Sequence, residues 1–268
     1  MFIYEPKGKA REYSPLALNH YRGCDHGCFY CYVPSVLKTF DRNYSHGCVE
    51  KRKMDLTKLE MECKKGIKRQ VLLSFLTDPY HAFDVVAQIT RKVLELFLKY
   101  SVPTAILTKG GRRCLRDLDL FEKMNPLVKV GASLTSDNQK DSHIWERGAA
   151  LPNDRLDTLK ELHAHGITTW VSIEPVVSPD QSIGLMEQSF AYVDHYKVGK
   201  MNHQKTDTVD WTQFLLRAVT LLRLAGKRFY VKNDLAAFAP HGFVFTPEER
   251  DSDFLSVTHQ KETQPLLL

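Results

Sequence analysis

Residues 20–32 read His-Tyr-Arg-Gly-Cys-Asp-His-Gly-Cys-Phe-Tyr-Cys-Tyr. Cys24, Cys28 and Cys31 stand at Cys-x-x-x-Cys-x-x-Cys spacing, with Gly23 and Gly27 just before the first two. Three thiolates packed this closely can ligate one soft metal centre and are too close for a sensible set of disulfides. Glycine suits such a loop because it tolerates backbone conformations that side chains forbid. Thiolate-rich sites select zinc or iron–sulfur, and a structural zinc site or an electron-transfer cluster would show a fourth nearby ligand. His46 or Cys48 could complete a zinc site. Zinc ligands usually come as two separated pairs, however, so the compact triplet favours iron–sulfur, with one metal position left for something other than protein. His26 reads as a residue of the loop rather than a ligand.

The elements that must hold this loop follow in a regular order. Residues 1–15 form a polar lead-in, and Leu16–Arg22 is strand-like. Residues 33–54 show no clear period and make a long basic connection, which in a compact domain is usually functional. Leu56, Leu59, Cys63 and Ile67 mark a helix, followed by an apolar strand over Val71–Leu76. A helix carrying Val86, Ile89, Val93 and Leu96 precedes a strand over Thr104–Thr108. Leu115, Leu118, Phe121 and Met124 mark the next helix, before a strand over Leu127–Leu134. Asn153 or Asp154 is placed to cap a helix carrying Leu156, Leu159 and Leu162, which Gly166 ends. Strands are expected over Ile167–Ile173, Ala191–Val198 and Arg228–Val231, with a helix from the Asp210–Gln213 capping pair to Gly226. Such alternation predicts an α/β fold with a parallel sheet covered by helices, as a barrel or a doubly wound sheet. Residues 1–234 are expected to form this unit. Residues 235–268 are expected to be an extension packed on it rather than an independent domain.

In parallel α/β folds functional groups gather where strands end. The expected strand ends here carry Thr77-Asp78, Thr108-Lys109, Ser133 with Thr135, Glu174, Lys200 with Asn202, and Lys232 to Asp234. A strand end turns polar wherever it meets water, but six such ends beside one metal loop point to a shared site. Glu174 reads either as a substrate or cofactor contact or as a capped strand end. Lys200, Asn202 and His203 face either the pocket or solvent. The chain has 268 residues, 43% of them hydrophobic and 26% charged, with a net charge of +5. That describes a folded protein compatible with an anionic partner. The basic groups Lys51–Lys53, Lys64-Lys65, Lys68-Arg69 and Arg112-Arg113-Arg116 could form a phosphate-binding surface, although each alone is more often a solvated face. No apolar run reaches membrane-spanning length. Glu5, Pro6 and Lys7 interrupt the apolar start, so no secretory leader is expected. Six cysteines then point to a reducing, cytoplasmic setting, with Cys63 a small core residue and Cys48 and Cys114 free.

The stretch Asn19–Tyr32, NHYRGCDHGCFYCY, resembles the cluster loop of radical S-adenosylmethionine enzymes, and more narrowly the spore photoproduct lyase-like branch. The resemblance continues through Leu76–Tyr80, Ile106–Lys109, Leu118–Leu120, Val130–Thr135 and His165–Ile167, and covers about residues 15–200. It implies a partial (β/α)6 barrel of the TIM type. It implies that Cys24, Cys28 and Cys31 hold three irons of a 4Fe-4S cluster whose fourth iron binds S-adenosylmethionine. Reductive cleavage would then give a 5′-deoxyadenosyl radical that takes hydrogen from a substrate. Thr77, Lys109 and Ser133 match positions that contact the cofactor, with Glu174 a further candidate. Tyr30 matches an aromatic lying against it, and Tyr32 a tyrosine of radical transfer. The partners implied are a nucleic acid or nucleotide, in DNA repair or base modification, and an electron donor such as flavodoxin or ferredoxin. One departure matters. The lyase has its hydrogen-donor cysteine two residues before the position of Thr77, and this chain has Phe75 there, which puts dimer-splitting repair in doubt. The competing reading is a non-catalytic zinc- or iron–sulfur-stabilised nucleic-acid-binding protein.

Overall fold

The computed structural model describes residues 1–39, 41–42, 44–50, 54–202 and 208–258. Lys51–Lys53, His203 and the end of the expected extension lie outside the described residues. Seven strands pair in parallel, in chain order from Leu16–Leu18 through Val71–Leu73, Thr104–Thr108, Val128–Ser133, Thr168–Ile173 and His195–Val198 to Arg228–Val231. Ile3–Tyr4 adds an antiparallel edge beside Leu16–Leu18. First and last strands do not pair, so the sheet is an open partial barrel with helices outside. The α/β expectation holds, and Arg228–Val231 makes one parallel strand more than the six that the resemblance implied.

Helix faces bind the sheet as their spacing requires. Trp211, Phe214, Leu215, Ala218, Val219 and Leu222 recur at one-face intervals along Trp211–Leu224 and are all buried. Asp210 caps that helix by accepting from the Gln213 amide at 2.9 Å. The cap expected at Asn153 or Asp154 is displaced. Pro152 fixes φ and lacks an N–H, so it opens Pro152–Ala164 directly after Leu151, and Asp154 accepts from the Arg112 amide instead. The strand expected over Val71–Leu76 stops at Leu73, because the amides of Phe75 and Leu76 donate to the Asn19 side chain rather than to a neighbouring strand. The helix expected through Val86 is two, Asp84–Ala87 and Ile89–Lys99, divided by Gln88 at φ 49°. The helices Val33–Lys38, Gln139–Trp145 and Pro179–Ser189 had no expectation in the sequence.

The hollow of the barrel is filled in layers. Trp170 occupies its middle with Leu72 and Ala105. Its indole N–H donates to the Ile106 carbonyl at 2.9 Å. On one side of it Lys129 and Lys197 are buried, and burial pulls both below the usual lysine range, Lys197 to about 7. Carbonyls answer their donors: Lys129 donates to Leu255, and Lys197 donates to Glu12, Tyr13 and Ser252. Residues of the C-terminal segment therefore plug this end, helped by Arg11 to Asp253 at 2.7 Å and the Val257 amide to Gln70 at 3.0 Å. The lead-in crosses to the last strand, where Glu12 accepts from Tyr230 and from the Asn233 amide.

Gly131 makes the Trp170 layer possible, since a Cβ there would lie 2.4 Å from the Trp170 carbonyl oxygen and 2.6 Å from the indole. Gly131→Ala should therefore destabilise by about 1–3 kcal/mol, the usual cost of overpacking a filled core. Denaturant unfolding measures it, and an unchanged midpoint would contradict this packing.

Candidate active site

On the other side of Trp170 the strand ends surround a cavity of about 420 Å³. The three cysteines, the two loop tyrosines and the four candidate cofactor contacts line it: Cys24, Cys28, Cys31, Tyr30, Tyr32, Thr77, Lys109, Ser133 and Glu174. So do Asn202 and Lys232, whereas Lys200 lies over the Trp211 and Phe238 rings. Cys48 and His46 are exposed and do not line the cavity, whereas Cys24, Asp25 and His26 bring potential ligand atoms within 4.8 Å of one another.

The cysteine loop is wedged between two neighbouring segments. Gly23, at φ 83°, pairs with Val49 so closely that a Cβ would lie 2.3 Å from the Cys48 carbonyl oxygen, which makes glycine obligatory there. The Gly23 amide donates to Leu76 at 3.1 Å, tying the loop to the segment that carries Thr77. Tyr32 donates to the Phe75 carbonyl at 2.7 Å on that same segment. On the opposite flank the amides of Phe29 and Gly148 reach across at 2.9 and 2.8 Å, to Trp145 and His26 respectively.

Two buried carboxylates join these parts. Asp78 accepts from the Thr108 hydroxyl at 2.6 Å and from the amides of Lys109 at 2.6 Å and Tyr80 at 2.8 Å. Its other neighbour is His26 of the cysteine loop, with Nδ1 3.6 Å away. Burial pushes the Asp78 carboxyl upward, but His26, the hydroxyl and the amides outweigh it and hold the group below the usual range. His26 is itself buried, and burial lowers its pKa. Arg113 lies 3.4 Å from Nε2, which fits a neutral ring accepting there and presenting Nδ1–H to Asp78. His26 thus links the cysteine loop to Asp78 and Arg113.

Glu146 is the second carboxylate. It accepts from the Tyr30 hydroxyl and pairs with Arg155 at 2.5 Å, both partners being nearly inaccessible. Burial raises it, but Arg155 and Lys109 bring it below the ordinary value. Arg155 also donates to the carbonyls of Ser133 at 2.9 Å and Ala150 at 2.8 Å, while the Ala150 amide donates to Lys109. Lys109 stands with its ammonium 5.7 Å from the centre of the Tyr30 ring. Burial lowers Lys109, but the charges of Cys28 and Glu146 raise it further, so it stays protonated. Sequence reasoning missed Glu146, Arg155 and Tyr13, whose partners are far along the chain. Glu174 was anticipated. Its carboxylate accepts from Tyr13, from Lys232 at 2.5 Å and from Asn202 at 3.0 Å.

The sequence matches the radical SAM superfamily over residues 18–193. The chain belongs to that superfamily. An uncharacterized protein of Methanocaldococcus jannaschii is 30% identical over 167 residues, which is 61% of this chain and 60% of that protein. A radical SAM Nalpha-GlyT isomerase of Pseudomonas phage M6 is 28% identical over 154 residues, 58% of this chain and 31% of its own length. Among solved structures, Streptococcus suis SuiB bound to S-adenosylmethionine superposes with a TM-score of 0.61 at 14% identity, covering 86% of this chain and 53% of that one. Spore photoproduct lyase complexed with dinucleoside spore photoproduct gives 0.59 at 13%, covering 82% and 62%. At such identities these two likenesses establish the fold.

The superfamily uses a 4Fe-4S cluster and S-adenosylmethionine, and the donor set here fits them. Burial raises all three thiols, Cys28 to about 12, and at Cys28 it outweighs the lowering by Lys109. Thiols so placed stay protonated unless a cationic centre compensates them. No fourth cysteine lines the cavity among the described residues. The basic group expected at Arg112, Arg113 and Arg116 is spent internally: Arg112 pairs with Glu161 at 2.9 Å, Arg113 reaches His26, and Arg116 pairs with Asp84. Among the described residues no helix is long and apolar enough to cross a membrane.

Asp78→Asn keeps the shape but removes an acceptor. The variant should lose about 1–3 kcal/mol through a donor left unpaired in the interior, read by urea unfolding. An unaltered stability would show that Asp78 is not the junction of these segments.

Proposed function

We propose that this radical SAM enzyme abstracts hydrogen from a nucleic acid or nucleotide, in a base-modification or repair reaction. The observation that carries the proposal is the convergence of the three cysteines with Lys109, Thr77, Ser133 and Tyr30 on one cavity. When bound, the cluster and S-adenosylmethionine supply reductive cleavage to a 5′-deoxyadenosyl radical, the species that takes the substrate hydrogen. Cys24, Cys28 and Cys31 hold three irons. Lys109 offers a buried ammonium to the cofactor carboxylate, and the hydroxyls of Thr77 and Ser133 suit polar groups of the methionine and ribose parts. The Tyr30 ring, fixed by Glu146, forms a wall against which the cofactor lies, and Glu174 closes the far side. The protein's part is positioning and exclusion of water, since the cofactor carries the hard chemistry. An electron carrier of flavodoxin or ferredoxin type would supply the electron.

Support for the substrate comes from the name of the phage relative, from the dinucleoside held by the lyase, and from charge. Four lysines and two carboxylates line the cavity, an excess that favours anions. Dimer splitting by the lyase's route is not proposed, because Phe75 stands at the position of the lyase's hydrogen-donor cysteine.

Anaerobically reconstituted protein, given reductant and S-adenosylmethionine, should release 5′-deoxyadenosine, and Cys28→Ala should abolish release while the barrel stays folded by circular dichroism. Supplied with DNA from cells grown in deuterium oxide, the wild type should transfer deuterium into 5′-deoxyadenosine. Transfer from deuterated peptides but not from nucleic acid would assign the substrate elsewhere. A colourless protein holding one zinc would overturn the enzyme reading.

A further inference from the structure

The cavity has a second end, built largely from segments outside residues 18–193. Lys7, Lys9, Ala10 and Tyr13 come from the lead-in, while Asn202 and Lys232 follow the last two strands. The polar groups here are spent largely on one another, with Asp234 Oδ1 a buried atom left without a partner. Glu174 takes Tyr13, Lys232 and Asn202, and Asp234 takes Asn202 at 2.9 Å and Lys9 at 2.9 Å. A ligand entering this end therefore meets little free hydrogen-bonding capacity in the wall. What remains is of two kinds. Leu72, Leu107 and Phe75 give an apolar and aromatic surface, while the Tyr13 ring stands at 71° to Phe75 and carries the Lys232 ammonium 4.6 Å from its centre. At the exposed rim stands Lys7, which makes no ion pair or hydrogen bond among the described residues, beside Lys9.

A ligand that matches this pairing has a flat, weakly polar ring and a negative charge one group away from it. We infer that this end of the cavity is a nucleotide subsite, in which the Phe75 ring receives an unstacked base and Lys7 holds the adjoining phosphate. The inference rests on the nucleic-acid reading of the proposed function and names the residues that would confer it. An aromatic surface takes any base, because every base has a π-face, and base stacking supplies affinity without sequence readout. The lysine adds a salt-dependent contact. A base stacked inside a duplex has no free face to offer Phe75, so the subsite takes single-stranded or extruded nucleotides.

The test uses the reconstituted full chain with S-adenosylmethionine and a fluorescent random-sequence DNA hexamer, alongside the same hexamer with neutral methylphosphonate linkages. The charged hexamer should bind about tenfold tighter than the neutral one. Lys7→Glu should remove that advantage and flatten the salt dependence, and Phe75→Ala should weaken both hexamers alike. Lys7 is exposed and unpaired, so its replacement leaves folding intact, which circular dichroism checks. Charged hexamer binding that ignores Lys7→Glu would overturn the subsite while leaving a nucleic-acid substrate standing. Failure of the wild type to bind either hexamer, or tighter binding of an acidic peptide, would overturn both.

Discussion

The constraint on which this site depends is the ionised, buried carboxylate of Asp78. A carboxylate removed from water persists only when its lone pairs are answered. Asp78 is answered by groups from three places: its own turn through Tyr80, the end of Thr104–Thr108 through Thr108 and Lys109, and the cysteine loop through His26. Satisfying one charge thus fixes the relative positions of the metal loop, of Thr77 and of Lys109. These are the parts that the superfamily's cofactor would need to find already in place, since preorganised groups need no rearrangement at the moment of reaction.

Glu146 and Arg155 repeat the device on the opposite flank. Their pair lies behind Tyr30 and Ser133, and the main chain from Trp145 to Ala150 runs alongside, bonded to the cysteine loop and to Lys109. A buried pair of this kind adds little to stability over an apolar substitute. Its value here is geometric, because Arg155 donates to the Ser133 carbonyl while its partner carboxylate holds the Tyr30 hydroxyl. The open barrel leaves one side to the lead-in, whose Tyr13 enters the hollow and meets Glu174. Parts outside the span matched by the superfamily therefore shape the end of the cavity away from the cysteines.

Much of this was legible in the sequence. The cysteine spacing is local, and the strand ends Thr77, Lys109, Ser133 and Glu174 follow from periodicity and the rule that parallel sheets act at their carboxyl ends. The rest depended on distance along the chain. Tyr30 and Glu146 are 116 residues apart, and nothing near Glu146 marks it as buried rather than solvated. Tyr13 sits in a polar lead-in without a period. Pro179–Ser189 escaped notice because its polar first turn and Gly184 blur the apolar stripe, although Ser178 caps it. The arginines at 112, 113 and 116 read as a basic patch, since a sequence does not show which cations are already paired.

The most direct test of the account is electron paramagnetic resonance of the reconstituted, reduced protein with and without S-adenosylmethionine. The wild type should carry the iron and sulfide of one 4Fe-4S cluster, and its spectrum should change when the cofactor binds. Asp78→Asn should retain the iron yet show a weakened response, because Lys109 and the cysteine loop have lost their common anchor. A wild-type spectrum indifferent to S-adenosylmethionine, or a full response in the variant, would contradict it.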